Sequence, residues 1–195
     1  MTFHKDFLKK WEKYCEEIYK ETKDLYAYDR IEWEYSDIMK KYPELYIQDL
    51  DVYSWKGYAF FTSIRIRRLT DDDRNCHSLI RLMRAIVDYN KNLGPSKMFI
   101  NPDEANDDIK MLQKKCEKIV EFVNNYVAHS SSEEHQLPLF SDLRESIRIL
   151  KSMVDKYVSL VLNRDLDWEL FYYDWKDLFE SYGKIAEKMK KNKMN

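Results

Sequence analysis

The stretch NPDEANDDIKMLQKKCEKIVEFVNNYVAHS, residues 101–130, decides the fold class. Asn101 can cap a helix, Pro102 suits its first turn, and Glu104 can reach back toward the cap. Ile109, Leu112, Cys116, Ile119, Val123 and Val127 then recur at three- and four-residue steps, which is one apolar face of an amphipathic helix. The spacing predicts a helix from residue 102 to about residue 128, with His129 ending it.

The same period recurs on both sides. Upstream, Phe3, Phe7, Trp11, Tyr14, Ile18 and Leu25 predict a helix from about residue 3 to 27. A more polar segment follows from Arg30 to Lys41 and stops at Pro43. From about residue 50 to 69, Trp55, Ala59, Thr62, Ile66 and Leu69 share a stripe. Arg65, Arg67 and Arg68 at its end suit the negative pole of a helix dipole. Thr70-Asp71-Asp72-Asp73 reads as a break in which an aspartate caps a helix over about 73–90, with Cys76, Leu79, Ile80, Met83, Ile86 and Val87 inward. No partner carboxylate or histidine stands at ligand spacing to the three aspartates, so a capping turn is preferred to a metal site. Leu93-Gly94-Pro95 ends that helix.

Downstream, residues 130–138 form a polar loop. Leu143, Ile147, Leu150, Val154, Tyr157 and Val161 then predict a helix antiparallel to the 102–128 helix. Trp168, Phe171, Tyr172, Trp175, Phe179 and Tyr182 predict a last, aromatic helix from about residue 168 to 190. Its aromatics suit either packing within the chain or an oligomer surface. The basic tail, Lys188 to Lys193, reads as solvated.

Composition agrees. Three glycines and four prolines in 195 residues are too few to punctuate a sheet protein. With 44% hydrophobic and 35% charged residues the chain can bury a core. A net charge of -2 argues against a uniformly basic nucleic-acid binder. Cys15, Cys76 and Cys116 are odd in number and widely spaced, so they read as reduced core residues. Met1-Thr2-Phe3-His4-Lys5-Asp6 is no signal peptide, and no apolar run reaches the length of a membrane span. The expectation is a cytoplasmic, all-α, up-and-down bundle of about six to seven helices, folded as one domain over residues 1–195.

Two stretches resemble the HEPN family, and its abortive-infection (AbiU-like) branch in particular. Arg68-Leu69-Thr70-Asp71, followed by Asp73-Arg74-Asn75-Cys76-His77-Ser78-Leu79, is similar to that branch's R-L-x-D turn. Asn125-Tyr126-Val127-Ala128-His129-Ser130 is similar to its K-x-x-A-H-S/D helix end, and Ser141-Asp142-Leu143-Arg144 fits the helix start that follows. The resemblance covers about residues 50–162 and leaves 1–49 and 163–195 as flanking helices. It implies a HEPN-like all-α homodimer, a role in prokaryotic phage defence or a toxin–antitoxin system, and metal-independent ribonuclease chemistry with no cofactor. RNA and an antitoxin or defence protein are the implied partners, with no membrane.

The family motif is R-x(4-6)-H. Here His129 is kept, but position 124 is Asn124, and Val123, Phe122, Glu121 and Val120 offer no arginine either. Metal-free RNA cleavage needs a proton acceptor and donor near neutrality, which His129 can supply. It also needs a cation against the phosphorane, and losing such a stabiliser commonly costs about 100- to 1,000-fold in rate. The resemblance therefore implies His129 as acid/base and Asn124 and Asn125 as polar contacts. A substitute phosphate clamp would come from Arg65, Arg68, Arg81 or Arg84. Tyr126 could stack on a base or cover the core edge. Ser131 stands where a second subtype carries a modified tyrosine, so that regulation is not expected. His77 and His135 lack metal spacing and read as surface residues. The alternatives are a catalytically inactive binding module, or a helical interaction protein whose His129 only finishes a helix.

Overall fold

The computed structural model describes residues 3–43, 48–73, 75–93, 99–127, 137–169 and 175–193. The elements in chain order are α1 (Lys5–Lys41), α2 (Gln48–Leu69), α3 (Leu79–Lys91), α4 (Pro102–Phe122), a π-helical turn (Val123–Val127), α5 (Phe140–Leu162) and α6 (Trp175–Lys193). The protein is all-α, with no strand among the described residues.

Cross-helix pairs set the directions. Asp29, Asp24 and Glu21 of α1 meet Tyr58, Arg65 and Arg68 of α2 in turn, so these helices are antiparallel. Asp29 and Glu16 also meet Arg144 and Arg164, which makes α5 and its exit antiparallel to α1. Lys115 pairs with Glu145 and Lys156 with Glu104 and Asp108, so α4 and α5 form the expected antiparallel hairpin. One continuous core runs through α1 to α5, and the short α3 is buried along most of its length. Leu79, Ile80, Leu82, Met83, Ile86 and Val87 of α3 are all buried there.

Three boundaries differ from the sequence expectation. The segments 3–27 and 30–41 are one helix, because Tyr28-Asp29-Arg30 contains no breaker and Asp29 is tied to α2 and α5. Helix α3 starts at Leu79, not near Asp73. Asp71 and Asp73 accept the backbone N–H of Asp73 and Asn75 and hold a turn, and Ser78 is the cap, accepting from the Arg81 N–H at 3.2 Å. The last helix starts at Trp175 rather than Trp168. Trp168 lies in a non-helical exit from α5, its indole N–H donating to Asp155 and its rings set edge-on to Tyr19 and Tyr26. Phe171 and Tyr172 lie outside the described residues.

Cys15 and Cys116 are buried and Cys76 partly so, all unpaired. Burial pushes the Cys15 thiol up to about 12 and the Cys116 thiol up to about 11, which keeps both protonated and inert. No described helix is long and apolar enough to cross a membrane.

Helix α6 sits on the end of α1. Lys41 bonds Glu180 at 3.3 Å, and the ring of Tyr42 lies flat against the α6 backbone at Gly183. A Cβ at position 183 would stand 2.3 Å from Tyr42 Cδ2. Gly183→Leu is therefore expected to lift α6 off α1 while leaving the α1–α5 core folded. Faster amide exchange confined to α6 would be the readout; unchanged α6 protection would mean that the ring yields instead.

Candidate functional site

The end of α4 changes its winding. Residues 123–127 form a π turn, with i→i+5 bonding, an element found mostly as single turns within α-helices and frequently at functional sites. The wider turn carries Asn124 toward α2, where its Oδ1 accepts the Arg67 Nε–H at 2.8 Å. Arg67 also donates Nη1 to Asp71 Oδ2 at 2.7 Å. One guanidinium thus ties the end of α2, the acidic turn behind it and the π turn together.

Beside this knot lies a cleft of about 760 Å³ between the end of α2 and the outer face of α4. Its cations are Arg67, Lys110 and Lys114; its carboxylates are Asp71, Asp72, Glu117 and Glu121. The lining is thus slightly acidic, and the guanidinium is its most constrained positive group. Asp72 closes the far end, gripped by Arg84 through Nε at 2.6 Å and approached by Gln113 at 3.5 Å. The three aspartates do not converge: Asp71 and Asp73 serve the turn and Asp72 serves Arg84. Among the described residues, no group of three His, Cys, Asp or Glu side chains could hold a metal ion.

The residues singled out in the sequence are distributed as follows. Asn124 is half-buried on Arg67; Asn125 is exposed beside it. Tyr126 is partly exposed and stacks on Phe122, with ring centroids 5.5 Å apart, and leans on Phe60 at 5.6 Å, covering the core edge. Arg65 and Arg68 point to α1, not to the cleft. Arg65 lies 3.5 Å from Asp24 and over the Phe61 ring, and Arg68 lies 3.6 Å from Glu21. Burial pushes the Glu21 carboxyl up, against the opposing pull of Arg68 and Arg65. Arg81 is half-buried in the first turn of α3, its Nε without a hydrogen-bond partner among the described residues. Arg84 holds the cleft residue Asp72 from outside the cleft lining. His77 is exposed, its ring stacked on Tyr14 at 3.4 Å. His129, Ser131 and His135 lie outside the described residues.

Arg67 is the residue that the sequence reading passed over. A helix advances by 100° per residue, so Arg65 and Arg68 share one flank of α2 while Arg67 lies on the other, toward α4. That phase difference was the available signal. Compared with protein-family models, curated proteins and solved structures, the chain matches none.

Proposed function

We propose that the protein is a HEPN-like, RNA-associated homodimer of prokaryotic defence or toxin–antitoxin type, working in the cytoplasm. Its metal-independent ribonuclease site survives in altered form. The observation that carries this reading is the bond from Arg67 to Asn124. The family motif puts an arginine at position 124; here asparagine stands there and holds an arginine from α2 by its side-chain oxygen. Arg67 replaces Arg65, Arg68, Arg81 and Arg84 as the preferred phosphate clamp, because none of those four touches Asn124. In the proposed reaction, His129 takes the ribose 2′-OH proton as the 2′ oxygen bonds to phosphorus, the Arg67 guanidinium meets the negative charge of the phosphorane, and the imidazolium returns the proton to the 5′ oxygen as the P–O5′ bond breaks to leave a 2′,3′-cyclic phosphate.

A specific observation favours a second reading, an inactive binding module: Arg67 is already neutralised by Asp71, and acids outnumber bases around the cleft. Cleavage of a mixed RNA pool in metal-chelated buffer separates the two. The full chain is expected to cleave, His129→Ala to abolish cleavage, and Arg67→Ala to slow it by about 100- to 1,000-fold with melting followed in parallel. Intact RNA with the unaltered protein, but RNA retained on it, would replace the ribonuclease with the binding module. Equal cleavage by all three would remove both residues from the site.

A further inference from the structure

Helix α6 leaves an apolar stripe open to water. Leu178, Tyr182, Ile185 and Met189 follow one another by four, three and four residues, so they lie one above the other along the helix. They are 44%, 57%, 54% and 58% exposed. The residues after the first two, Phe179 and Gly183, are turned about 100° further and rest on the end of α1. The Phe179 ring lies 5.8 Å from that of Tyr35, and Gly183 lies under Tyr42. The apolar face of α6 is therefore wider than α1 covers, and its open edge runs for three turns, roughly 16 Å.

Charge and width say what lies against that edge. Between Ser181 and Lys193 the sequence sets five lysines against one acid, Glu187, in a chain whose net charge is -2. This end of α6 is thus a basic patch on an acidic protein. Lys188 borders the stripe. Lys191 stands behind it, about one helix diameter or roughly 10 Å away, a distance comparable with the Debye length at about 0.1 M salt. Lys184 lies 3.9 Å from Glu180, whereas Lys188 and Lys191 are exposed and no ion pair holds either among the described residues. Glu180 is turned away from the stripe, 3.3 Å from Lys41 of α1. A coiled-coil partner would call for a narrow seam edged by charges on both sides. Here one edge is the apolar contact with α1, and the other carries Ser181 and Lys188. A wide apolar face with a tyrosine at its middle and lysines on its polar side suits a lipid surface. Apolar side chains sink to the acyl boundary, the phenol stays among the head groups, and the ammonium groups meet acidic phosphates.

We propose that α6 is a docking helix for an anionic membrane surface. It lies along the interface without crossing it, with Leu178, Tyr182, Ile185 and Met189 against the lipid. Lys188 and Lys191 are drawn to the surface charge, and the α1 contact carries the bundle on the water side. Apolar contact and charge are needed together, since one such signal alone gives only marginal attachment. This attachment does not depend on RNA cleavage, and it gives the protein a partner that the family resemblance leaves out.

Co-sedimentation of the full chain with lipid vesicles tests it. Binding is expected to vesicles of phosphatidylglycerol and phosphatidylethanolamine in about 0.1 M salt, and to be lost at about 0.5 M salt. Binding to phosphatidylcholine vesicles is expected to be at least about 10-fold weaker. The double variants Ile185→Ser/Met189→Ser and Lys188→Glu/Lys191→Glu are each expected to weaken anionic-vesicle binding at least about 10-fold, with an unchanged melting transition. Equal binding to both vesicle types, or binding indifferent to either double variant, would overturn the proposal. Absence of vesicle binding would overturn it too, and retention on an immobilised acidic helical peptide in its place would give the stripe to a protein partner.

Discussion

Asp29→Ala is expected to cost about 3–5 kcal/mol of folding stability, read from urea unfolding. One carboxylate oxygen of Asp29 accepts the Tyr58 hydroxyl at 2.7 Å and the Arg144 Nε–H at 3.1 Å. Tyr58 is wholly buried, and its hydroxyl would be left without a partner. Burial, reinforced by the Asp29 bond, pushes that phenol well above its ordinary range, so it stays neutral and needs an acceptor. Arg144 is mostly covered, its guanidinium 4.5 Å from the Trp33 ring centroid, and would keep a charge with its counter-ion gone. Asp29→Asn retains an acceptor oxygen and is expected to lose about 1–2 kcal/mol. A loss below about 1 kcal/mol for the alanine variant would mean that water replaces the carboxylate and the three-helix tie contributes little.

Asp108→Ala is expected to cost about 2–3 kcal/mol by the same measurement. Asp108 Oδ2 accepts the buried Tyr157 hydroxyl at 2.7 Å and the Lys156 ammonium at 2.6 Å, and joins α4 to α5. Here Glu104 also holds Lys156, at 2.5 Å, so the ammonium keeps one partner and the orphaned phenol supplies most of the loss. Tyr157→Phe removes that phenol and leaves Asp108 on Lys156, so it should cost less than Asp108→Ala. The reverse order would place the energy in packing around the ring rather than in the polar bridge.

Periodic apolar positions carried most of the fold. The stripe from Ile109 to Val127 and that from Leu143 to Val161 predict α4 and α5, and those helices pack as the spacing requires. Errors fell where polar residues had tertiary partners. Asp29 looks like a pause between two helices until Tyr58 and Arg144 are brought to it from 29 and 115 residues away. Trp168 looks like a first helical residue, but its indole bond to Asp155 takes it out of any helix. Asp73 is a fair cap by composition, yet its oxygen serves a turn and Ser78 does the capping. The candidate site was legible only in part. Asn124 stood out through the motif it interrupts, whereas Arg67 lies 57 residues away and is joined to it by helix packing alone. The π turn left no mark in the apolar pattern, since Val123 and Val127 fit an α-helix equally well.

The 37-residue α1 has a consequence for the order in which the protein assembles during synthesis. It leaves the ribosome before α5, yet it packs most extensively on α5, and the bonds to it from α5 and its exit span 115 to 148 residues of chain. At about 5–20 residues per second, α1 waits on the order of 5–25 s for that partner. Until then Trp11, Cys15, Ile18 and Leu25 can be shielded only by α2, by α3, or by a cellular holdase. The nascent chain is most exposed to aggregation in that interval, and slowing translation between residues 41 and 140 would lengthen it.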